Sequence, residues 1–194
     1  FDRFADRPWS AFLDSGQPHS EQGRYDILTA VPRKTLITRG NITGIRDGEA
    51  LRISREDPFV LLQEALGPAC EAVDEIPFCG GAIGYFGYDL ARRLERLPAL
   101  AVDDSGVPDM AVAVYDWALV VDHVLQRSWL VGEEEAQLHA RRNQLLSWES
   151  APAKRERSFR TSGPILCNIT HPHHIHGIKR IQRYIHEGDC YQVN

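Results

Sequence analysis

Short apolar runs separated by turn residues, with few helical patterns between them, constrain this chain more than any other feature. Arg24–Val31, ended by Pro32, has the composition of a strand. Thr35–Thr38 and Leu51–Ile53 follow as further strands, and Asn41–Ala50 between them is turn-rich, with Asp47-Gly48 as a hairpin turn. Phe78–Tyr88 is a glycine-punctuated apolar run that reads as a strand. Met110–Tyr115 and Trp117–Val124 read as a strand or a bent strand pair, and Ser128–Val131 pairs with them as a hairpin. Strands come in neighbouring runs with few helices between them, unlike the strand–helix alternation of a doubly wound sheet. The pattern predicts an α+β protein with mostly antiparallel sheets and peripheral helices.

The helical patterns are few. Asp57 is placed as an N-cap with Pro58 in the first turn, and Phe59, Leu62, Ala65 and Leu66 share one face before Gly67-Pro68. Asp89–Leu94 reads as a short helix and Glu133–Trp148 as a longer one. Thr170 is the predicted N-cap and Gly188 the C-terminal stop of a helix over 171–187, with Ile175, Ile178, Ile181 and Ile185 as its stripe. The polar, basic stretch Ser150–Gly163 reads as a linker. The expected division is 1–150, a linker over 151–164, and the opening of a second domain over 165–194.

Twenty-two Lys and Arg stand against 27 Asp and Glu, a formal charge of −5, which argues against a nucleic-acid-coating role. No apolar stretch, Trp117–Val121 included, approaches the roughly 18 residues that cross a bilayer. The opening Phe-Asp-Arg-Phe-Ala-Asp-Arg carries charge where a signal peptide needs an apolar core. Cys70, Cys79, Cys167 and Cys190 make no CxxC pair, so reduced thiols in a cytoplasmic protein are the plain reading. The first residue is Phe1, and the last residues, Asp189 to Asn194, read as a turn and a strand start. Both ends predict a piece of a longer protein, poorly soluble in isolation because a strand edge is left open.

The residues suggest chemistry, and each suggestion meets a plainer alternative. Gly80–Gly87 does not fit GxGxxG, so its glycines read as allowing a strand to bend or pack closely. His171, His173, His174 and His176 lack a partner at a recognised metal spacing and read as a polar first turn. Ser15 sits in Asp-Ser-Gly, a turn sequence, without a nucleophile elbow. Arg24 beside Tyr25 can fork onto a carboxylate, a ligand's or a surface partner's. Tyr85, Phe86, Tyr88, Tyr115 and Trp117 form an aromatic concentration best read as packing.

Several segments together resemble the chorismate-utilising enzymes, in particular their component I of aminodeoxychorismate synthase type. They are Pro8-Trp9 with Phe12–Gly16, Arg24–Ile27, Pro77–Leu90, Pro108–Val112, Tyr115–Leu119 and Gln182–Asn194. The most specific is Gly-Asp-Cys-Tyr-Gln-Val-Asn at 188–194. Related anthranilate synthases usually carry Ile-Phe where Cys190-Tyr191 stands.

The resemblance implies an anthranilate synthase component I-like fold and an amino transfer. Chorismate and glutamine-derived ammonia would give 4-amino-4-deoxychorismate for para-aminobenzoate and folate synthesis. It implies Mg2+, suited to oxygen ligands, and a glutamine amidotransferase subunit (component II) as partner. The family's magnesium-holding glutamates and nucleophilic lysine match no position in 1–194, which predicts an inactive fragment without catalytic or metal residues of its own. An L-tryptophan pocket does map here, onto Ser15, Gln22, Gly23, Arg24 and Tyr25. There a hydroxyl, backbone groups and an aromatic ring would meet the amino acid. Anthranilate synthase component I and a non-catalytic tryptophan-binding module are the alternatives.

Overall fold

A computed structural model describes residues 5–16, 23–68, 73, 75–100, 102–103, 105–132, 134–149 and 160–193. The chain forms two units, Phe1–Lys154 and Arg155–Asn194. The first contains two antiparallel sheets. One has the strand order β1-β2-β8-β9, from Ala11–Leu13, Tyr25–Thr29, Trp117–Asp122 and Arg127–Gly132. The other has the order β5-β4-β3-β7-β6, from Ala50–Ser54, Ile42–Asp47, Lys34–Arg39, Met110–Tyr115 and Gly81–Phe86. The α+β antiparallel class expected from the strand spacing is the class observed.

Chain continuity explains why the two sheets stay together. Only Asp116 separates β7 from β8, and Ala30–Arg33 separates β2 from β3, so the chain changes sheet at both points. Tyr115 and Trp117, on either side of the first crossing, are almost fully buried. Val31, in the second, adopts φ 54°, an uncommon conformation for a β-branched residue. Its amide donates to the Pro8 carbonyl at 2.9 Å.

Each sheet has its own core. Helix α1, Pro58–Leu66, lays Leu61, Leu62 and Ala65 against Leu36, Met110, Val112 and Val114 of the five-stranded sheet. Each buried aliphatic side chain of this kind contributes about 1.5–3 kcal/mol. The helix starts as expected, with the Asp57 carboxylate accepting from the Phe59 amide at 2.8 Å. Its C-terminal carbonyls at Ala65 and Leu66 accept from Arg33 Nη2 at 3.2 and 2.9 Å. In the four-stranded sheet, Leu28, Ala30 and Trp117 pack with Trp148 of helix α2, Glu135–Glu149.

Three local expectations change. The stretch read as turn-rich contains the full strand β4, paired on both sides, with tight turns only at Gly40 and Gly48. Its Gly44 hid the strand, and Leu51 and Ile53 fill the space above that glycine. The run over 78–88 narrows to β6 at Gly81–Phe86, and the short helix after it is a 3-10 turn over Tyr88–Arg93. Close packing explains one glycine: a Cβ at Gly84 would lie 2.6 Å from Val112 Cα. Tyr115 and Trp117 are core residues as expected, whereas Tyr88 projects into solvent.

In the second unit, helix α3 spans His171–Glu187. Gly188 ends it at φ 84°, as a left-handed stop requires. Thr170 holds the N-cap position, but its hydroxyl makes no capping bond. None of the helix residues is buried within the described residues.

Candidate functional site

The predicted tryptophan residues lie where the start of β2 meets the end of β8. Antiparallel register sets Tyr25 directly opposite Asp122, 97 positions later in sequence. Asp122 ends the apolar strand because its side chain takes over the backbone's role. Its Oδ1 accepts from the amides of Val124 and Leu125 at 2.8 and 2.9 Å. Its Oδ2 accepts from Arg24 Nε at 2.9 Å and Arg24 Nη2 at 2.6 Å. The carboxylate is fully buried, and its four acceptor positions are used.

This arrangement fixes the charge of both partners. Bonding to Arg24, reinforced by the two turn amides, outweighs burial and holds the Asp122 carboxyl down at about 2. The same bond holds the Arg24 guanidinium above its ordinary value. Arg24 also approaches Glu75 at 3.8 Å and lies 4.8 Å over the Tyr25 ring.

Ser15 joins from the segment after β1. Its hydroxyl donates to the Tyr25 carbonyl, and its amide donates to Asp26 Oδ1 at 2.9 Å. Asp26 Oδ2 is 2.9 Å from His123 Nε2, and the His123 amide donates to the Arg24 carbonyl at 3.0 Å. The Tyr25 hydroxyl donates to the Glu75 carbonyl at 2.8 Å. The structure therefore brings Ser15, Arg24 and Tyr25 together, with the buried Gly23 leading into them. Gln22 lies outside the described residues. The arrangement joins an aromatic ring, a guanidinium and the carboxylates of Asp26, Glu75 and Asp122 in one network of contacts.

Among the described residues no group of three or more His, Cys, Asp or Glu side chains converges to hold an ion, so these residues do not fit a magnesium site. His171, His173, His174 and His176 are exposed along the start of α3. Cys79, Cys167 and Cys190 are free thiols. No helix among the described residues is long and apolar enough to cross a membrane.

Residues 13–194 match the family described as chorismate binding enzyme. The chain belongs to that family. Within the chorismate-binding family it is 39% identical over 199 residues to aminodeoxychorismate synthase component 1 of Klebsiella aerogenes, covering 100% of this chain and 43% of the relative. It is 38% identical over 197 residues to the protein of the same description from Escherichia coli K12, covering 100% and 42%. A solved structure, anthranilate synthase component I from Streptococcus pneumoniae TIGR4, superposes with a TM-score of 0.68 at 26% identity, over 90% of this chain and 42% of that one. The anthranilate synthase component I-like fold is thus the fold of this chain, which spans about two-fifths of the length of the curated relatives it matches.

Asp122, Asp26, His123 and Glu75 were not singled out by the sequence. Asp122 and His123 close an apolar strand, where a polar pair reads only as a turn. Their partners are far away in the chain, and only the β2–β8 register joins them.

Proposed function

We propose that the chain is the N-terminal part of an aminodeoxychorismate synthase component I. The whole protein would convert chorismate and glutamine-derived ammonia to 4-amino-4-deoxychorismate for para-aminobenzoate and folate synthesis. The observation that carries this reading is the whole-chain identity of 39% and 38% to two relatives of that description. The Cys190-Tyr191 pair supports the same branch.

The division of labour follows from what the residues can do. Magnesium, which clamps the anionic substrate in this reading, is held by carboxylates other than those described here. The 194 residues by themselves are inactive. A glutamine amidotransferase subunit supplies ammonia, and the assembly works in the cytoplasm. Ser15, Gln22, Gly23, Arg24 and Tyr25 hold L-tryptophan. The Tyr25 ring offers a face for the indole, and Ser15 with nearby backbone groups meets the polar end.

The solved anthranilate synthase neighbour favours a second reading, anthranilate synthase component I. The two part in vivo. The full-length gene is expected to restore growth without para-aminobenzoate to a strain lacking its own component I. Rescue of a tryptophan auxotroph instead would assign the second reading.

A further inference from the structure

An open sheet ends in edges, and an unprotected edge invites pairing. Among the described residues the edge strands are β1 and β9 in one sheet, β5 and β6 in the other. Three of them are guarded. β1 is only three residues long, and β9 opens on Arg127 and Ser128. β5 carries Arg52 at its centre, which reaches Glu56 at 3.9 Å and Glu64 at 3.4 Å. β6 has no such device. Its sequence Gly-Ala-Ile-Gly-Tyr-Phe holds no charge and no proline. It faces β7 in unbroken register from Gly81↔Tyr115 to Phe86↔Met110, so no bulge twists its free side away.

β6 is also held in place for a neighbour. The Tyr85 hydroxyl donates to the Pro108 carbonyl at 3.1 Å, and Phe86 stacks on Phe59 of α1 with ring centroids 5.4 Å apart. Just past the strand, the Gly87 amide donates to the Asp109 carbonyl at 2.7 Å. A strand fixed in this way has little freedom left to lose on pairing. The sheet face away from α1 leads to the same edge. Ladder partners share a face, so Tyr85, Ala111, Ile37, Gly44 and Ile53 form one row across the sheet. Ile53 and its same-face neighbour Leu51 are more than half exposed, and Ile37 and Tyr85 are exposed as well. Folded proteins rarely leave a large apolar surface of this kind uncovered.

Resting on the reading of the chain as an N-terminal part, we propose that a strand from the portion of the full-length protein after residue 194 pairs with the free edge of β6 and extends the five-stranded sheet. Length favours this occupant. The whole chain matches only 43% and 42% of the two relatives, so more than half of each relative lies outside the match. A strand on the same polypeptide arrives at high effective concentration, which a second molecule lacks. The glycine-punctuated run that fits no nucleotide motif then has a use, as a joining edge.

The test is hydrogen exchange at single amides in the full-length wild type. In an edge strand every second amide points away from its one partner and exchanges freely, whereas an interior strand protects them all. Every amide from Ala82 to Phe86 is expected to exchange at least about a hundredfold slower than unstructured chain. That protection should not change on dilution. Protection of alternate amides alone overturns the inference, and so does protection that fades on dilution, which would assign the edge to a second copy. Photo-crosslinking from Tyr85→p-benzoylphenylalanine identifies the neighbour. It should join Tyr85's position to a residue after 194 in the same polypeptide. Crosslinks confined to residues 1–194, or joining two polypeptides, overturn the inference. Should that variant not fold, exchange in the wild type decides alone. A native reading frame without sequence after residue 194 removes the N-terminal reading, and this inference with it. Alternate protection in an active full-length enzyme removes the inference alone.

Discussion

Replacing Trp117 with Phe tests how the four-stranded sheet holds the candidate site. Trp117 opens β8, the strand that ends at Asp122, and is only 1% exposed. Its Nε1 donates to the Ala30 carbonyl at 3.0 Å, while its own carbonyl accepts from the Thr29 hydroxyl at 2.9 Å. These two bonds tie the end of β2 to the start of β8. Phe keeps the backbone acceptor but cannot donate. Leaving the buried Ala30 carbonyl unpaired costs about 1–3 kcal/mol. The lost ring volume adds about 1 kcal/mol if the site collapses only partly. The Arg141 guanidinium, 5.4 Å over the ring, prefers Trp to Phe by about 0.5 kcal/mol. The sum is roughly 3 kcal/mol. Native-state hydrogen exchange in the full-length protein reads it locally, at the amides of β2 and β8. They should exchange about a hundredfold faster in Trp117→Phe, since each factor of ten corresponds to about 1.4 kcal/mol. Acceleration below about fivefold, or spread evenly over both sheets, would refute the reasoning.

Other consequences concern the second sheet and acid. Gly84→Ala should cost about 3 kcal/mol, the upper range for overpacking, because the new Cβ meets the Val112 backbone and cannot be relieved by a rotamer change. A melting temperature within about 2 °C of wild type would show that edge strand β6 yields freely. The Asp122 carboxyl is held at about 2 against an ordinary value of 3.8, so its folded form is the more acidic one. Its stabilising contribution is complete above the ordinary value and is lost as pH falls toward about 2. An acid titration of melting temperature should show this loss in wild type and lack that portion of it in Asp122→Asn.

Local chemistry made much of the fold legible. The Asp57 cap and Pro58 placed α1, and Gly188 placed the end of α3, because caps act over a few residues. The apolar runs at 110–115 and 117–122 showed themselves as strands through β-branched and aromatic content. Strand β4 was hidden because Asn41, Gly44 and Asp47-Gly48 read as turn residues around the β-branched Ile42, Thr43 and Ile45; pairing with β3 and β5 makes the strand. The site was legible only where residues stand close in sequence. Ser15, Arg24 and Tyr25 came with the family resemblance. Asp122 did not, since a contact between residues 24 and 122 depends on a register that no local pattern encodes.

Product identity tests the central claim most directly. The full-length protein is incubated with chorismate, magnesium and ammonium, and the products are resolved by mass spectrometry. The account predicts 4-amino-4-deoxychorismate, with the side-chain enolpyruvyl group retained and no anthranilate. Formation of anthranilate with release of pyruvate would contradict it.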